Sequence, residues 1–448
     1  MDYQRYLNRR PIYTTLIFLI LFGFCRNSVF AQATGKTEIT KWQNGKKTAI
    51  SITYDDGSSN QFKIALPLME RMDLPATFFV ITGPVKGSVF PPKFVGRPVN
   101  RIISETETIP TNKNNFFERA SASLYLGYSG TLPYYNKADE FYESGKKEKA
   151  FKVMDSLYSN ARKGNLKAGK DLSMEMEQEE GLSWEELKND AAKGYEIASH
   201  TVTHAHLAIL DTANMGYELR KSKEEIRKHL GERSTFSAEV PFGIEDPRVM
   251  EYGFPIYNAL RNSMPEPWMK EINRGYKDLP GNSDKEYVQW QRGPLSKTPM
   301  SLMKSWVDTS LKHDNIWLVL VFHGIDDIGW EPTSHEKLQE YFSYIQNQKN
   351  VWVATFGDVA RYVRERMAAK VEGKFYNNKI TIKLTDSLDN NINDEPLTLK
   401  TYVPSQWEKV NLKTHNQMQE LQTQQDEKGT FVLYQALPDK GTIEISVI

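Results

Sequence analysis

Two short stretches of the sequence carry side chains whose types and spacing suit metal chemistry. His200 and His204 stand four residues apart, and this spacing places two imidazoles on the same side of a helical turn. Imidazole is a preferred ligand of zinc and similar divalent ions, and a carboxylate commonly completes a three-ligand site that leaves one position open. Because the chain contains only eight histidines, this pair indicates a metal site if a carboxylate lies close to it in the fold.

Asp55 and Asp56 supply the carboxylates of the second stretch. They follow the β-branched and aromatic run 48–54, which is typical of a buried strand, and Gly57 permits a sharp turn directly after them. Two adjacent carboxylates resist joint ionisation when they are buried, and a bound cation relieves that repulsion. An Asp-Gly pair is also common in solvated turns, so the functional interpretation depends on the histidine pair.

Together, the two stretches resemble the polysaccharide deacetylase family (NodB homology, carbohydrate esterase family 4). The resemblance implies that Asp55 is the catalytic base and that Asp56, His200 and His204 hold a divalent metal. Zinc is favoured by the two imidazoles, and cobalt or nickel is compatible with the same ligands. Such an ion lowers the pKa of water and polarises a carbonyl group. The family also implies a distorted (β/α) barrel with its site at the carboxyl ends of the strands.

Three more residues are expected to act in such a site. His323 follows the apolar run 316–322 and matches the family's general acid in chain order. By family analogy, a backbone N–H near Phe242 stabilises the oxyanion. Trp330, in a Gly-Trp-Glu-Pro segment, is expected to contact the sugar.

Two positions depart from the family's motifs. Glu239 stands where the family has an arginine that pairs with the catalytic base, and a carboxylate there would raise the pKa of Asp55. Either another arginine, Arg261 or Arg292, substitutes for it, or Glu239 points away. Gly324 follows His323, where the family usually has aspartate.

The elements around these residues predict an α/β fold with a second, all-β domain. A strand at 48–54, a helix at 62–71 and a strand at 74–80 predict a parallel sheet with crossover helices. Between about 97 and 182, apolar and aromatic residues at helical spacing predict a helical insertion whose main feature is a hairpin. We therefore expect a deacetylase domain over 32–368 and a small C-terminal β-sandwich over 371–448.

The N-terminal sequence and the charge balance narrow the compartment and the partners. Arginines precede a short apolar run, and Val29-Phe30-Ala31 fits a cleavage site, so residues 1–31 are expected to be a bacterial secretory signal peptide. The only cysteine, Cys25, is removed with it, and the mature chain is expected to be periplasmic or extracellular without disulfides. The 57 basic and 57 acidic residues leave no basic surplus for nucleic acid, and no further hydrophobic run predicts a membrane span.

The sequence thus predicts a secreted, metal-dependent deacetylase whose partner is an acetylated polysaccharide or oligosaccharide. N-acetyl and O-acetyl substrates both remain open, because the carbonyl chemistry is the same for either. A catalytically silent carbohydrate-binding protein that retains the metal site is the alternative from another functional class. Cleavage of another C–N bond in a small molecule is a third possibility, and no protein partner is indicated.

Overall fold

The computed structural model describes residues 34–448 apart from 172, 177–180, 244–245, 269, 275–282 and 416, so the predicted signal peptide lies outside the described residues. The chain forms two compact units. The larger unit contains Thr40–Ala369 and Ser387–Leu397, and the smaller one contains Lys370–Asp386, Thr398–Ile448 and the described residues up to Ile39.

These units differ in two places from the predicted domains, 32–368 and 371–448. Strand β1 (Thr37–Ile39) pairs with residues 399–401 and thereby joins the smaller unit. Residues Ser387–Leu397 join the larger unit, where Glu395 accepts a hydrogen bond from Gln43 at 3.1 Å. Both differences arise from pairing between segments that are far apart in the chain, which local sequence patterns do not encode.

The larger unit is built on a nine-stranded sheet in which every strand pairing is parallel. Its spatial order is β8-β7-β6-β3-β2-β11-β10-β9, and β12 also pairs with β2. The two central strands, β2 and β11, are almost completely buried. The strands of the larger unit are β2 (Thr48–Tyr54), β3 (Thr77–Val80), β4 (Tyr128–Ser129), β5 (Lys167–Ala168), β6 (Glu196–Ser199), β7 (Ser237–Ala238), β8 (Ala259–Leu260), β9 (Ile272–Asn273), β10 (Val288–Arg292), β11 (Ile316–Phe322) and β12 (Val351–Val353).

Helices connect these strands as in a (β/α) barrel, which confirms the predicted distorted barrel. The helix at 62–71 begins with a π-helical segment, Gln61–Ala65. A capping box at Ser183, with Glu186 as its second member, begins the helix Trp184–Ala192. The helices are α1 (Leu66–Arg71), α2 (Val99–Glu105), α3 (Phe116–Ser123), α4 (Leu132–Glu143), α5 (Lys147–Arg162), α6 (Trp184–Ala192), α7 (Thr212–Leu230), α8 (Pro247–Gly253), α9 (Met300–Ser310), α10 (His335–Gln346) and α11 (Phe356–Ala368).

The insertion contains the predicted helical hairpin and more. Helices α4 and α5 form the hairpin, α2 and α3 precede it, and the short strands β4 and β5 pair with each other. The apolar side chains of the insertion share one core with those of residues 205–210, which follow His204, and with those of α7 and α8. The insertion is therefore packed onto the barrel at the position of the candidate site.

The smaller unit is all-β, as expected for the C-terminal domain. One sheet has the order β1-β15-β19-β18, and the other, antiparallel throughout, has the order β13-β14-β20-β16-β17. No helix in the described part of the chain is long and apolar enough to cross a membrane. The remaining strands are β13 (Lys370–Tyr376), β14 (Lys379–Thr385), β15 (Leu397–Tyr402), β16 (Lys409–Lys413), β17 (Met418–Gln422), β18 (Gln424–Asp426), β19 (Gly429–Ala436) and β20 (Thr442–Val447).

Candidate metal centre

The candidate site lies at the carboxyl edge of the parallel sheet. Asp55 directly follows β2, His200 follows β6, Glu239 follows β7, Arg261 follows β8 and His323 follows β11. Because parallel strands end at one edge, five separate segments of the sequence deliver their side chains to one place.

Asp56, His200 and His204 meet at a single point. The Oδ1 atom of Asp56 lies 3.5 Å from Nε2 of His200 and 3.3 Å from Nε2 of His204. The three donor atoms all lie within 4.8 Å of one another, and all three side chains are buried. The predicted ligands thus form a compact set with the chemistry of a two-histidine, one-carboxylate divalent site.

The hydrogen bonds and protonation of the histidines fit a metal site. Nδ1 of His200 lies 3.1 Å from the backbone carbonyl of Glu239, which can only accept, so Nδ1 carries a proton and Nε2 is the nitrogen that faces Asp56. Burial, reinforced by the charge of His200, lowers the pKa of His204 to about 3, which keeps this imidazole neutral. Asp56 is ionised, because its hydrogen bond to His200 and the neighbouring imidazoles overcome burial and lower its pKa.

The backbone around these ligands is strained. Asp56, Thr201 and His204 adopt φ values of 76°, 68° and 60°, in the left-handed region that non-glycine residues seldom occupy. Buried Glu218 of α7 holds the loop by accepting hydrogen bonds from the backbone N–H groups of Val202 and Thr203, at 2.9 and 2.8 Å. Strain of this kind persists where the surroundings fix it, and here it falls on the ligands Asp56 and His204 and on Thr201, which follows the ligand His200.

Asp55 is held by Arg261. The guanidinium donates to both carboxylate oxygens of Asp55, at 2.7 and 2.6 Å, and also to the hydroxyl of Thr53 at 2.8 Å. Burial alone would raise the pKa of Asp55, but the charges of Arg261, His323 and His200 lower it. The side chain predicted as the catalytic base is therefore kept ionised in a buried position.

Arg261 makes the pairing with Asp55 that was expected of the family arginine, whose position 239 is occupied here by glutamate. Of the two predicted substitutes, Arg261 pairs with Asp55, whereas Arg292 donates to the backbone of Gln291 and to the side chain of Asn273. Glu239 does not point away, because its Oε1 lies 2.9 Å from the same Arg261 guanidinium. Burial raises the pKa of Glu239, although Arg261 opposes the shift.

His323 and Trp330 lie together at the other side of the site. Nε2 of His323 is 3.5 Å from Oδ2 of Asp55, and Trp330 meets the His323 ring edge-on at 4.7 Å. A Cβ atom on Gly324 would lie 2.7 Å from the carbonyl oxygen of Ile328 and 2.8 Å from Gly329. The loop leaves no room for the aspartate that usually follows this histidine in the family.

Phe242 completes the set of predicted residues. It adopts φ 62°, its ring is half exposed, and it stacks flat on the imidazole of His206 with centroids 3.7 Å apart. His206 is in turn 2.8 Å, Nδ1 to Oδ2, from Asp139 of the insertion. The insertion is thus linked through His206 to Phe242, the residue whose backbone N–H was predicted to bind the oxyanion.

A cavity of about 430 Å³ joins these groups. All seven predicted site residues line it, and so do Glu175, Glu239 and Arg261. The structure therefore brings together the complete predicted set, which is Asp55, Asp56, His200, His204, Phe242, His323 and Trp330.

Two positioning residues were missed by sequence reasoning. Glu218 lies in the middle of an amphipathic helix, where a charged residue ordinarily faces solvent. Gln61 is fully buried and donates to the backbone carbonyls of both Asp55 and His323, which joins the ends of β2 and β11. Neither has a local signal, because each acts through residues distant in the chain.

The chain therefore contains a parallel-sheet barrel domain with a candidate metal centre. This centre consists of a buried Asp-His-His set beside a carboxylate that is paired with an arginine. The family model for polysaccharide deacetylase matches residues 43–103 and 152–253, which include Asp55, Asp56, His200 and His204. The match covers the segments that carry both motifs, which confirms the resemblance to the polysaccharide deacetylase family.

Comparisons with individual proteins are more distant. A gellan lyase from a Bacillus species is 27% identical over 271 residues, which covers 57% of this chain and 11% of that protein. The chain thus spans about a ninth of that relative's length.

Among solved structures, a family 4 carbohydrate esterase from Bacillus anthracis is 13% identical, with a TM-score of 0.32 over 74% of this chain and 90% of that one. The Puue allantoinase is 10% identical, with a TM-score of 0.36 over 72% and 92% of the two chains. The fold itself is defined by the sheet topology of this chain.

Proposed function

We propose that this protein is an exported, metal-dependent deacetylase that hydrolyses N-acetyl or O-acetyl groups on polysaccharides or oligosaccharides. The observation that carries the proposal is the pairing of two features in one cavity: the Asp56, His200 and His204 set, and Asp55 bound by both arms of Arg261. Zinc is the ion that the two imidazoles and one carboxylate favour, and it would supply Lewis-acid activation of water and of the acetyl carbonyl.

The residues of the chain divide the remaining work. Asp55 is the general base, and its pairing with Arg261 keeps it ionised and fixes its orientation. The backbone N–H of Phe242 donates to the developing oxyanion. His323 protonates the leaving amine or alkoxide, since it is partly exposed to the cavity and its Nε2 lies 3.5 Å from Asp55.

Trp330 forms a wall for the sugar. Its side chain is 47% exposed and lies against His323, so an apolar sugar face that packs on it would present its acetylated position to the site. Export follows from the predicted signal at residues 1–31, and the proposed partner is an acetylated glycan.

The test is the release of acetate from a panel of acetylated glycans by zinc-loaded protein. Chitin oligomers, peptidoglycan and acetylated xylan cover the N-acetyl and O-acetyl classes. We expect release from at least one of them by the wild type and a loss of at least about a hundredfold in Asp55→Asn, which keeps the shape but removes the base. Binding without release from any member would refute the enzyme and favour the silent carbohydrate-binding alternative.

A further inference from the structure

We propose that the helical insertion builds a second sugar subsite, which binds the sugar next to the acetylated one. This inference rests on the proposed deacetylase function and adds a specificity to it: the enzyme acts on an oligomer rather than on a single sugar. The subsite is lined by the metal-ligand loop at residues 203–206 but not by Asp55, and it is formed largely by residues of the insertion.

The subsite is a cavity of about 590 Å³ that continues from the catalytic cavity. Glu175, His204 and Phe242 line both cavities, so they share a boundary at a metal ligand. Its volume lies within the ~300–1,000 Å³ typical of ligand pockets, and it exceeds what an acetyl group needs. A substrate that extends from the catalytic cavity has this space directly beside it.

The lining has the mixed character that a sugar ring requires. Tyr125, Leu132 and Met176 contribute apolar surface, whereas Asn136, Asp171 and Glu175 bring polar groups to the same cavity. A pyranose has apolar C–H faces and a polar edge, which matches this combination. Lys170 adds a cation to the same lining, and a long acyl chain would cover these polar groups without giving them hydrogen bonds, which is unfavourable.

The wall of the cavity is held in place by hydrogen bonds. Asp171 accepts from the backbone N–H groups of Gly130 and Leu132, at 2.9 and 2.8 Å. The Tyr135 hydroxyl accepts from the backbone N–H of His206 at 3.0 Å, two residues after the ligand His204. The insertion is thus joined directly to the loop that carries a metal ligand, and a preformed wall binds a ligand without paying for its ordering.

Phe242 lines both cavities. Its ring is 52% exposed although it stacks on His206. An exposed aromatic ring that lines both the catalytic cavity and the mixed-polarity cavity offers a stacking surface to a chain that extends from one to the other. The proposed subsite therefore places one sugar at the acetyl-hydrolysing site and its neighbour against the insertion.

The experiment compares kcat/KM for acetate release from N-acetylglucosamine and from its β-1,4-linked dimer, trimer and tetramer. Acetylated xylo-oligomers form a parallel series. We expect kcat/KM of the wild type to rise with length, and the tetramer-to-monomer ratio to fall about tenfold in Tyr125→Ala. Asn136→Ala, at an exposed helical position where folding is safe, is expected to lower the same ratio about threefold. Tyr128→Ala is the matched control, because Tyr128 is a partly buried tyrosine of the insertion outside this lining.

A second readout separates this proposal from the proposed function. The Kd of the tetramer for the zinc-loaded Asp55→Asn protein is measured by calorimetry, with and without Tyr125→Ala. If acetate is released but Tyr125→Ala lowers kcat/KM equally for every length, the subsite is wrong and the deacetylase stands. If no acetate is released but Tyr125→Ala weakens tetramer binding, the subsite stands and the deacetylase is wrong.

Discussion

Replacement of Arg261 by methionine is the sharpest test of the buried charges at the site. The side chain is 2% exposed and binds two carboxylates, Asp55 through both oxygens and Glu239 at 2.9 Å. Arg261→Met preserves most of the volume but leaves two carboxylates facing each other without a cation. One of them must then take up a proton, which removes the ionised base or forces the loop apart.

The magnitude follows from the burial of the pair. Removal of one partner from a buried ion pair costs about 3–5 kcal/mol, against a total domain stability of about 5–15 kcal/mol. We therefore expect Tm to fall on the order of 10 °C. Glu239→Gln removes one of the two stranded charges, so the double variant Arg261→Met/Glu239→Gln should regain about 1–3 kcal/mol relative to Arg261→Met.

These variants are compared with the wild type by two measurements, thermal unfolding and acetate release. Arg292→Met is the matched control, because Arg292 is also 2% exposed but bonds to Gln291 and Asn273 and lies outside the catalytic cavity. It should lose stability and keep acetate release, whereas Arg261→Met should lose both. Wild-type turnover in Arg261→Met, or a double variant no more stable than Arg261→Met, would contradict the reasoning.

Three further changes test other parts of the account. Glu218→Gln should weaken zinc binding about tenfold by zinc titration, because Gln cannot accept all the hydrogen bonds that hold the loop at Thr203; unchanged affinity would show that Glu218 does not position the ligands. Glu395→Gln should flatten the pH dependence of the unfolding free energy. Burial, reinforced by the charge of Asp358, raises the pKa of Glu395 to about 8, so the wild type should lose stability as the pH rises from about 4.3 to 8, and an identical profile in the variant would contradict this. Gly324→Ala should lower Tm, since its Cβ would lie 2.7 Å from a backbone oxygen; a Tm equal to the wild-type value would show that the loop has room.

The parts of the site that sequence predicted are those that follow a strand. Asp55 and His323 come directly after runs typical of buried strands, and His200 follows the strand-like segment 195–199. Because parallel strands end at one edge, local patterns together with one rule of topology bring them close. Arg261 also follows a strand, but β8 is only two residues long, and sequence could name it only as one of two arginines.

The parts that sequence did not predict depend on contacts between distant segments. Glu218 and Gln61 are ordinary helix residues until the loops that they bind are placed beside them. The membership of β1 in the smaller unit depends on pairing with residues more than 350 positions away, as Thr37 with Thr401 shows. No periodicity within a short window carries such information.

The central claim is that Asp56, His200 and His204 hold one divalent ion, and a zinc titration of the metal-free protein measures it most directly. The account predicts one tight site per chain in the wild type, lost in Asp56→Ala and in His204→Ala. His335→Ala is the matched control, because it removes a histidine of the exposed Asp326, His335 and Glu336 group and should leave the tight site intact. Equal zinc affinity in the wild type and in Asp56→Ala would contradict the claim.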